Sequence, residues 1–203
     1  KALLPFLADT DSEVRAQAIK TIGECGLTDD GIRFEKLIAD PSPRVQLFAT
    51  IAAGRLKATS SLSAILAMLA KTTDPYLRHA GSYALFLLQT PEELVALKAN
   101  ADPRIRMASV IALRRAKSPL LAQFLNDSDE AVANEAVRSI NDQNIVEVRP
   151  QVGALLDHAS EKDHSTMIWR RMLHSAFRAG DETNARRVLK IALDAKTPAE
   201  SRK

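Results

Sequence analysis

The side chains best suited to metal binding, proton transfer or nucleophilic attack in this 203-residue chain are four histidines and one cysteine. Two histidines fall in the polar stretch Asp157-His158-Ala159-Ser160-Glu161-Lys162-Asp163-His164-Ser165, and His174 follows two to three turns into the next helical segment. Inserted polar loops often carry function, so a metal or ligand site at 157–165 is one reading. The spacing is not the i, i+4 pair that preorganises two imidazoles on one helix face. A solvated linker ending in a helix cap is therefore the expected reading. Cys25, in Gly23-Glu24-Cys25-Gly26, has no neighbouring His or Asp to generate a thiolate and is expected to be a buried or half-buried structural thiol. With 7 glycines there is no Gly-rich phosphate loop, and neither a Ser/His/Asp order nor a carboxylate pair in a cleft is recognisable. The chain is expected not to be an enzyme and to carry no cofactor or metal.

The charged residues form a more regular pattern. Asp11/Arg15, Asp74/Arg78 and Asp102/Arg106 are each four apart, and because the pair recurs it reads as a structural ladder of helix caps and arginines within or between repeats. Arg55, Arg114, Arg115, Lys117, Arg138 and Arg178 fall near the ends of helical segments. There they either offset the helix dipole, the expected reading, or line a basic strip for an acidic partner. Trp169, the single tryptophan, occupies a position that is aliphatic elsewhere, which argues against an aromatic platform for nucleic-acid bases.

These residues are placed by a repeat. A helix-start signature recurs as Asp11-Ser12-Glu13-Val14-Arg15, Ser42-Pro43-Arg44-Val45-Gln46, Asp74-Pro75-Tyr76-Leu77-Arg78 and Asp102-Pro103-Arg104-Ile105-Arg106. Weaker copies start at Asp129 and Thr166, and Thr197-Pro198 opens another. Asp, Ser or Thr caps free N–H groups of the first turn, and proline fits the first helical position because it has no N–H to leave unpaired. Counting from the cap, the third residue is apolar (Val14, Val45, Leu77, Ile105, Val132, Trp169). The tenth is small (Thr21, Ala52, Ala84, Ala112, Ser139, Ala176), and the eleventh is apolar or Ala (Ile22, Ala53, Leu85, Leu113, Ile140, Phe177). Those offsets share one helical face. A second apolar segment precedes each such helix, at 3–7, 32–38, 62–69, 94–97, 120–125, 152–156 and 188–193. The pattern predicts an all-α chain of helix pairs, about six with a partial seventh, stacked as a right-handed α-α superhelix, or α-solenoid. A composition of 46% hydrophobic but only 4% aromatic residues suits helices packed through Ala, Leu, Ile and Val.

The Asp/Ser…Val-Arg…Ala…Ala-Leu pattern with a period near thirty resembles HEAT repeats in the short, phycobilin-lyase-like form, along the whole chain. A narrower series in 129–202 runs through Glu135, Arg138, Ile140, Asp142, Ile145, Arg170-Arg171, Ala176-Phe177-Arg178-Ala179-Gly180, Ala185, and Pro198 to Arg202. It is similar to the repeat region of large exported planctomycete/verrucomicrobial-type sugar-dehydrogenase/cytochrome c proteins. That resemblance implies an arm between an oxidising domain and a haem domain, in the periplasm or outside the cell; otherwise a cytoplasmic location is expected. No C-x-x-C-H haem motif is present. Residues 1–203 are read as a single array, expected to be part of a longer multidomain chain.

The expected function is a non-catalytic scaffold that binds a protein or a neighbouring domain. Tyr83, Phe86, Arg114, Arg138 and Arg178, which lie off the packed face of the second helices, form the expected binding face. The alternatives are a phycobilin-lyase-like accessory subunit and a HEAT-like nucleic-acid binder. Nucleic acid is not the expected partner at a net charge of +3, and no apolar run approaches membrane-spanning length.

Overall fold

The computed structural model describes residues 2–161 and 164–194, and the expected helix start at Thr197-Pro198 lies outside them. Among the described residues the chain is all-helical. It forms two compact units, Lys1–Ala112 and Leu113–Lys203.

In the N-terminal unit, a 3-10 helix at Leu4–Ala8 precedes α1 (Ser12–Cys25), and α2 (Phe34–Ile38) precedes α3 (Pro43–Arg55). The next pairs are α4 (Leu62–Lys71) with α5 (Pro75–Leu88), and α6 (Pro91–Ala96) with α7 (Pro103–Arg115), whose residues 113–115 belong to the C-terminal unit. In the C-terminal unit, the 3-10 helix Pro119–Phe124 pairs with α8 (Glu130–Asp142). There α9 (Arg149–Ala154), continued by a 3-10 helix at Leu155–Glu161, pairs with α10 (Thr166–Ala179), and α11 (Glu182–Leu193) follows. Second helices pack on one another within the units, α1 on α3, α3 on α5 and α8 on α10. This is the nearest-neighbour stacking by which a repeat buries a face it cannot bury alone.

Most second helices are closed at both ends by local chemistry; α5 is closed only at its start and ends on the extended Gln89 (φ −120°). Asp11, Asp74, Asp102 and Asp129 are N-caps whose carboxylates accept from the backbone N–H of Glu13 (2.8 Å), Tyr76 (2.7 Å), Arg104 (2.9 Å) and Val132 (3.1 Å). Two residues before each cap, a second polar side chain accepts the cap's own N–H. It is Asp9 for Asp11, Asp40 for Ser42, Thr72 for Asp74, Asn100 for Asp102 and Asp127 for Asp129, at 2.8–3.1 Å. At the other end, the fifteenth residue after the cap is left-handed at Gly26, Lys57, Lys117 and Asn144. The N–H that follows returns to the carbonyl five residues back, as Leu27 to Ile22 (3.0 Å) and Ser118 to Leu113 (3.1 Å). This is the Schellman closure.

Several expectations change here. Ser42 sits at the N-cap, but its hydroxyl accepts no backbone N–H, and the Asp40 carboxylate holds that turn instead. Arg15 reaches the next repeat and not its own cap. Arg15 bonds Asp40 of the next repeat through Nε and Nη2, both at 2.9 Å, and donates Nη1 to the carbonyls of Asp9 and Thr10. Asp102 pairs with Arg104 (Nη2 at 2.8 Å), while Arg106 donates to the carbonyls of Asn100 and Ala101. Arg78 is exposed. The geometric reason is that the cap carboxylate is turned toward the helix N–H groups, so the arginine reaches past it to the preceding turn.

The cap of α10 is Ser165, not Thr166. One residue rotates a helix by about 100°, so the packed face falls on Met172, Ser175 and Ala176, whereas Phe177 is 75% exposed. The left-handed Gly180 lies fifteen residues after Ser165, in register with the other repeats. Thr21, expected on the packed face, is exposed; in later repeats the tenth residue meets the preceding second helix, as Ala52 meets Gly23. Cys25 is also exposed, because it ends α1 immediately before Gly26, away from the packed stripe.

Candidate functional site

The C-terminal unit contains a cavity of about 700 Å³. Its walls are three helical stripes. From α8 come Glu130, Ala133, Asn134 and Val137, spaced i, i+3, i+4, i+7. From α9 and its 3-10 continuation come Gln151, Ala154, Leu155 and His158 at the same spacing, and from α10 and the residues before it come His164, Ile168 and Met172. Residues 122 and 125–128 close one end. The spacing puts each stripe on one side of its helix. The floor is apolar (Leu125, Val137, Ile168, Met172), and the rim carries Asn126, Asp127, Asn134, Gln151 and the two histidines.

Two residues of the polar stretch 157–165, expected to be a solvated linker, line this wall, His158 and His164. Leu155–Glu161 forms a 3-10 helix that buries Leu156 (3% exposed) and Ala159 (1%) at three-residue spacing. Asp157 anchors it, accepting from Arg187 of α11 at 2.9 Å. His164 stands edge-on to the buried Trp169, with ring centroids 6.2 Å apart. The structure thus brings His158 and His164 to one cavity but places His174 elsewhere, its Nδ1 3.1 Å from Asn141 Oδ1. Among the described residues no cluster of three His, Cys, Asp or Glu could hold a metal ion. A groove in the corresponding place in the N-terminal unit, about 530 Å³, is lined by Pro43, Gln46, Met68, Lys71 and Asp74 among others.

The arginines of the expected binding face are drawn into an ordered network along α8 and α10. Arg114 Nη1 donates to Glu135 at 3.0 Å, and Arg138 lies between Glu135 (3.5 Å) and Asp142 (3.6 Å). Arg171 binds both oxygens of Asp142 at 3.0 Å. Burial alone would raise the Asp142 carboxyl; hydrogen bonds from Arg171 and Asn141 and the charges of Arg171 and Arg138 outweigh it and hold the group below the ordinary carboxylate range. Arg178 donates to the Oδ1 of left-handed Asn144 at 2.6 Å, and the buried Arg149 donates to the same oxygen. Arg114 and Arg138 thus meet at Glu135, and Arg178 occupies a separate node. Tyr83 and Phe86 are half-buried on α5 in the other unit. Carboxylates take up Arg114 and Arg138, and the Asn144 amide oxygen takes up Arg178.

What sequence reading missed is the cavity itself and the polar residue two before each cap. The second was visible as Asp9-x-Asp11, Asp40-x-Ser42, Thr72-x-Asp74, Asn100-x-Asp102 and Asp127-x-Asp129.

Among solved structures, the chain is similar to a chain in the complex of CpcE and CpcF of phycocyanin lyase from Nostoc sp. PCC7120. Identity is 18%, 95% of this chain and 80% of that one are covered, and the TM-score is 0.47. An archaeal HEAT-like repeats protein from Thermococcus onnurineus NA1 is 14% identical, with 88% and 84% covered and a TM-score of 0.48. An engineered protein is 17% identical, with 99% and 65% covered and a TM-score of 0.47. No curated protein sequence matches. The narrower resemblance to dehydrogenase/cytochrome c proteins is not among what these comparisons show. No described helix is long and apolar enough to cross a membrane. The family profile described as HEAT repeats matches residues 1–86 and 32–114, more than half of the 203, and the capped, stacked helix pairs fit it. The chain belongs to the HEAT-repeat family.

Proposed function

We propose that the chain is a non-catalytic scaffold that binds a protein partner through its C-terminal unit. The cavity between α8, α9 and α10 supports this reading: an apolar floor set on packed helices, rimmed by amide and carboxylate groups suited to hydrogen-bonding a polypeptide. Buried apolar anchors inside a polar rim are the usual anatomy of a protein-binding surface. Repeat scaffolds supply such surfaces because their helices are held by neighbours and move little on binding.

The test is a photo-crosslinking residue, p-benzoylphenylalanine, placed at Asn134 in the native cell, with the exposed Lys190 as control position. A protein adduct specific to position 134, identified by mass spectrometry and re-formed with the purified partner, supports the proposal. Absence of any protein adduct at 134, or an intact mass showing a retained small molecule in the cavity, refutes it.

A further inference from the structure

We infer that Arg149, Arg178 and Asn144 form a site for a phosphate-class dianion, either free phosphate or a phosphate monoester. None of the three residues lines the cavity, so the site is independent of what the cavity binds. Arg149 is buried, at 7% exposed, and an arginine at such depth is almost always paired. Among the described residues it meets no carboxylate, and its hydrogen bond goes to Asn144 Oδ1. Arg178 donates to the same oxygen at 2.6 Å and likewise meets no carboxylate. Elsewhere the arginines are provided for. Arg106, buried to the same extent, donates to two main-chain carbonyls, and Arg114, Arg138, Arg171, Arg186 and Arg187 each meet an Asp or Glu. Asp142, two residues before Asn144, is held by Arg138 and Arg171 instead.

Two guanidiniums on one neutral oxygen repel each other, and each keeps most of its N–H donors unused. A phosphate-class dianion answers both deficits, because it matches the two charges and accepts guanidinium donors in pairs. A single carboxylate would leave one charge uncompensated. The amide oxygen of Asn144 stands in for an oxygen of the anion, and the same side chain, turned over, donates N–H to it. The frame is fixed and open. Asn144 is left-handed (φ 59°), and the N–H of Ile145 returns to the Ile140 carbonyl at 3.1 Å, which sets this turn at the end of α8. Arg149 opens α9, and Arg178 lies in the last turn of α10. Asn144 and Arg178 are exposed, so an anion reaches the guanidiniums from solvent, while Arg149 reaches the same point from the interior.

The experiment is isothermal titration calorimetry on the full chain at constant ionic strength and about pH 8, where a phosphate monoester is a dianion. The probes are inorganic phosphate, acetate, and a phosphoserine peptide of about five residues with its unphosphorylated form. Inorganic phosphate is expected to bind with a dissociation constant on the order of 1 mM or below, at least about tenfold tighter than acetate. The peptide tells the sources apart: binding at least about tenfold tighter than inorganic phosphate, and absent without the phosphate, supports a phosphorylated partner, and weaker or equal binding supports free phosphate. Arg178→Gln is expected to weaken phosphate at least about tenfold, and Arg186→Gln, a surface arginine outside the site, less than about twofold. Asn144→Asp places a carboxylate between the guanidiniums. It is expected to abolish phosphate binding and to raise the melting temperature in phosphate-free buffer, since Asp tolerates the left-handed region. Phosphate binding no tighter than acetate overturns the inference. So does phosphate binding that survives Asn144→Asp or Arg178→Gln undiminished, or an equal loss in Arg178→Gln and Arg186→Gln, which would make the effect one of net charge. Melting curves check that each variant folds; if Asn144→Asp does not, Arg178→Gln against Arg186→Gln decides.

Discussion

Gly23→Ala tests the closeness of the repeat stack. A Cβ built on Gly23 would lie 2.6 Å from Ala52 Cβ and 2.9 Å from Ala52 Cα, where ordinary contact begins near 3.4 Å. The obstacle is α3 backbone, so α1 and α3 must separate by most of an ångström. Two opposing terms set the outcome. Replacing a helical glycine by alanine gains at most about 1 kcal/mol of helix propensity, Gly23 lying in the last turn of α1. Forcing an extra methyl into a packed interface costs about 1–3 kcal/mol. At this overlap the upper part of that range applies, giving a net loss of about 1–2 kcal/mol. Gly54 is the internal comparison, because it occupies the same repeat position but its Cβ would meet Ala84 Cα at 3.0 Å and Cβ at 3.3 Å. A shift of a few tenths relieves that contact, so Gly54→Ala should fall within about 0.5 kcal/mol of neutral. Urea unfolding, with amide exchange in α1 as the local readout, separates the two. A Gly23→Ala chain stabilised by about 1 kcal/mol, with slower exchange in α1, would refute the reasoning, because propensity would then act unopposed.

Other perturbations test different links. Thr50 is fully buried and, among the described residues, its hydroxyl has no hydrogen-bond partner, so Thr50→Val should raise stability by about 1 kcal/mol in urea unfolding. Lys117 is exposed and left-handed (φ 49°); Lys117→Gly should gain about 0.5–1 kcal/mol, read as a higher midpoint. Burial alone would raise the Asp40 carboxyl, but hydrogen bonds from Arg15 and the Ser42 N–H, with the Arg15 charge, hold it below its ordinary 3.8. Its contribution is therefore fully present above the unfolded value near 3.8 and lost as pH falls through the lower folded one. Melting temperatures followed from about pH 7 to about pH 2 should show Asp40→Asn less stable at neutral pH, with a shallower acid decline. An unchanged acid limb would mean that the Arg15–Asp40 bridge is not a folding contact.

The architecture was readable because its signals are local and repeated. Pro43, Pro75 and Pro103 follow cap residues directly, and aliphatic and small residues return at fixed offsets. One boundary misled because Ser165 and Thr166 are both good caps. Gly180 resolves it, once the left-handed closure fifteen residues after the caps Asp11, Ser42, Asp102 and Asp129 is known. The cavity was not readable in the same way. Leu125, Val137, Ile168 and Met172 lie on separate elements, at positions that in another repeat would be ordinary core. Their convergence depends on how far apart two neighbouring repeats are held, and no single helix encodes that distance. His158 and His164 stood out by type, but the intervening segment looked solvated because its polar residues mask the buried pair Leu156 and Ala159.

The double closure of α1, α3, α7 and α8, a polar brace before the cap and a left-handed residue after the last turn, has a consequence for how such proteins diversify. A helix sealed by its own immediate neighbours does not depend on the length of the connection that leads to it. In chain order, the caps Asp129 and Ser165 are 36 residues apart (165 − 129) but Asp102 and Asp129 are 27 apart (129 − 102), yet α8 and α10 end in the same left-handed turn. Insertions can accumulate in the connections while the helices keep their register. Binding specificity is thereby free to drift in one segment as the load-carrying framework stays fixed. For engineering, this makes the connections between helix pairs the natural place to graft or lengthen sequence.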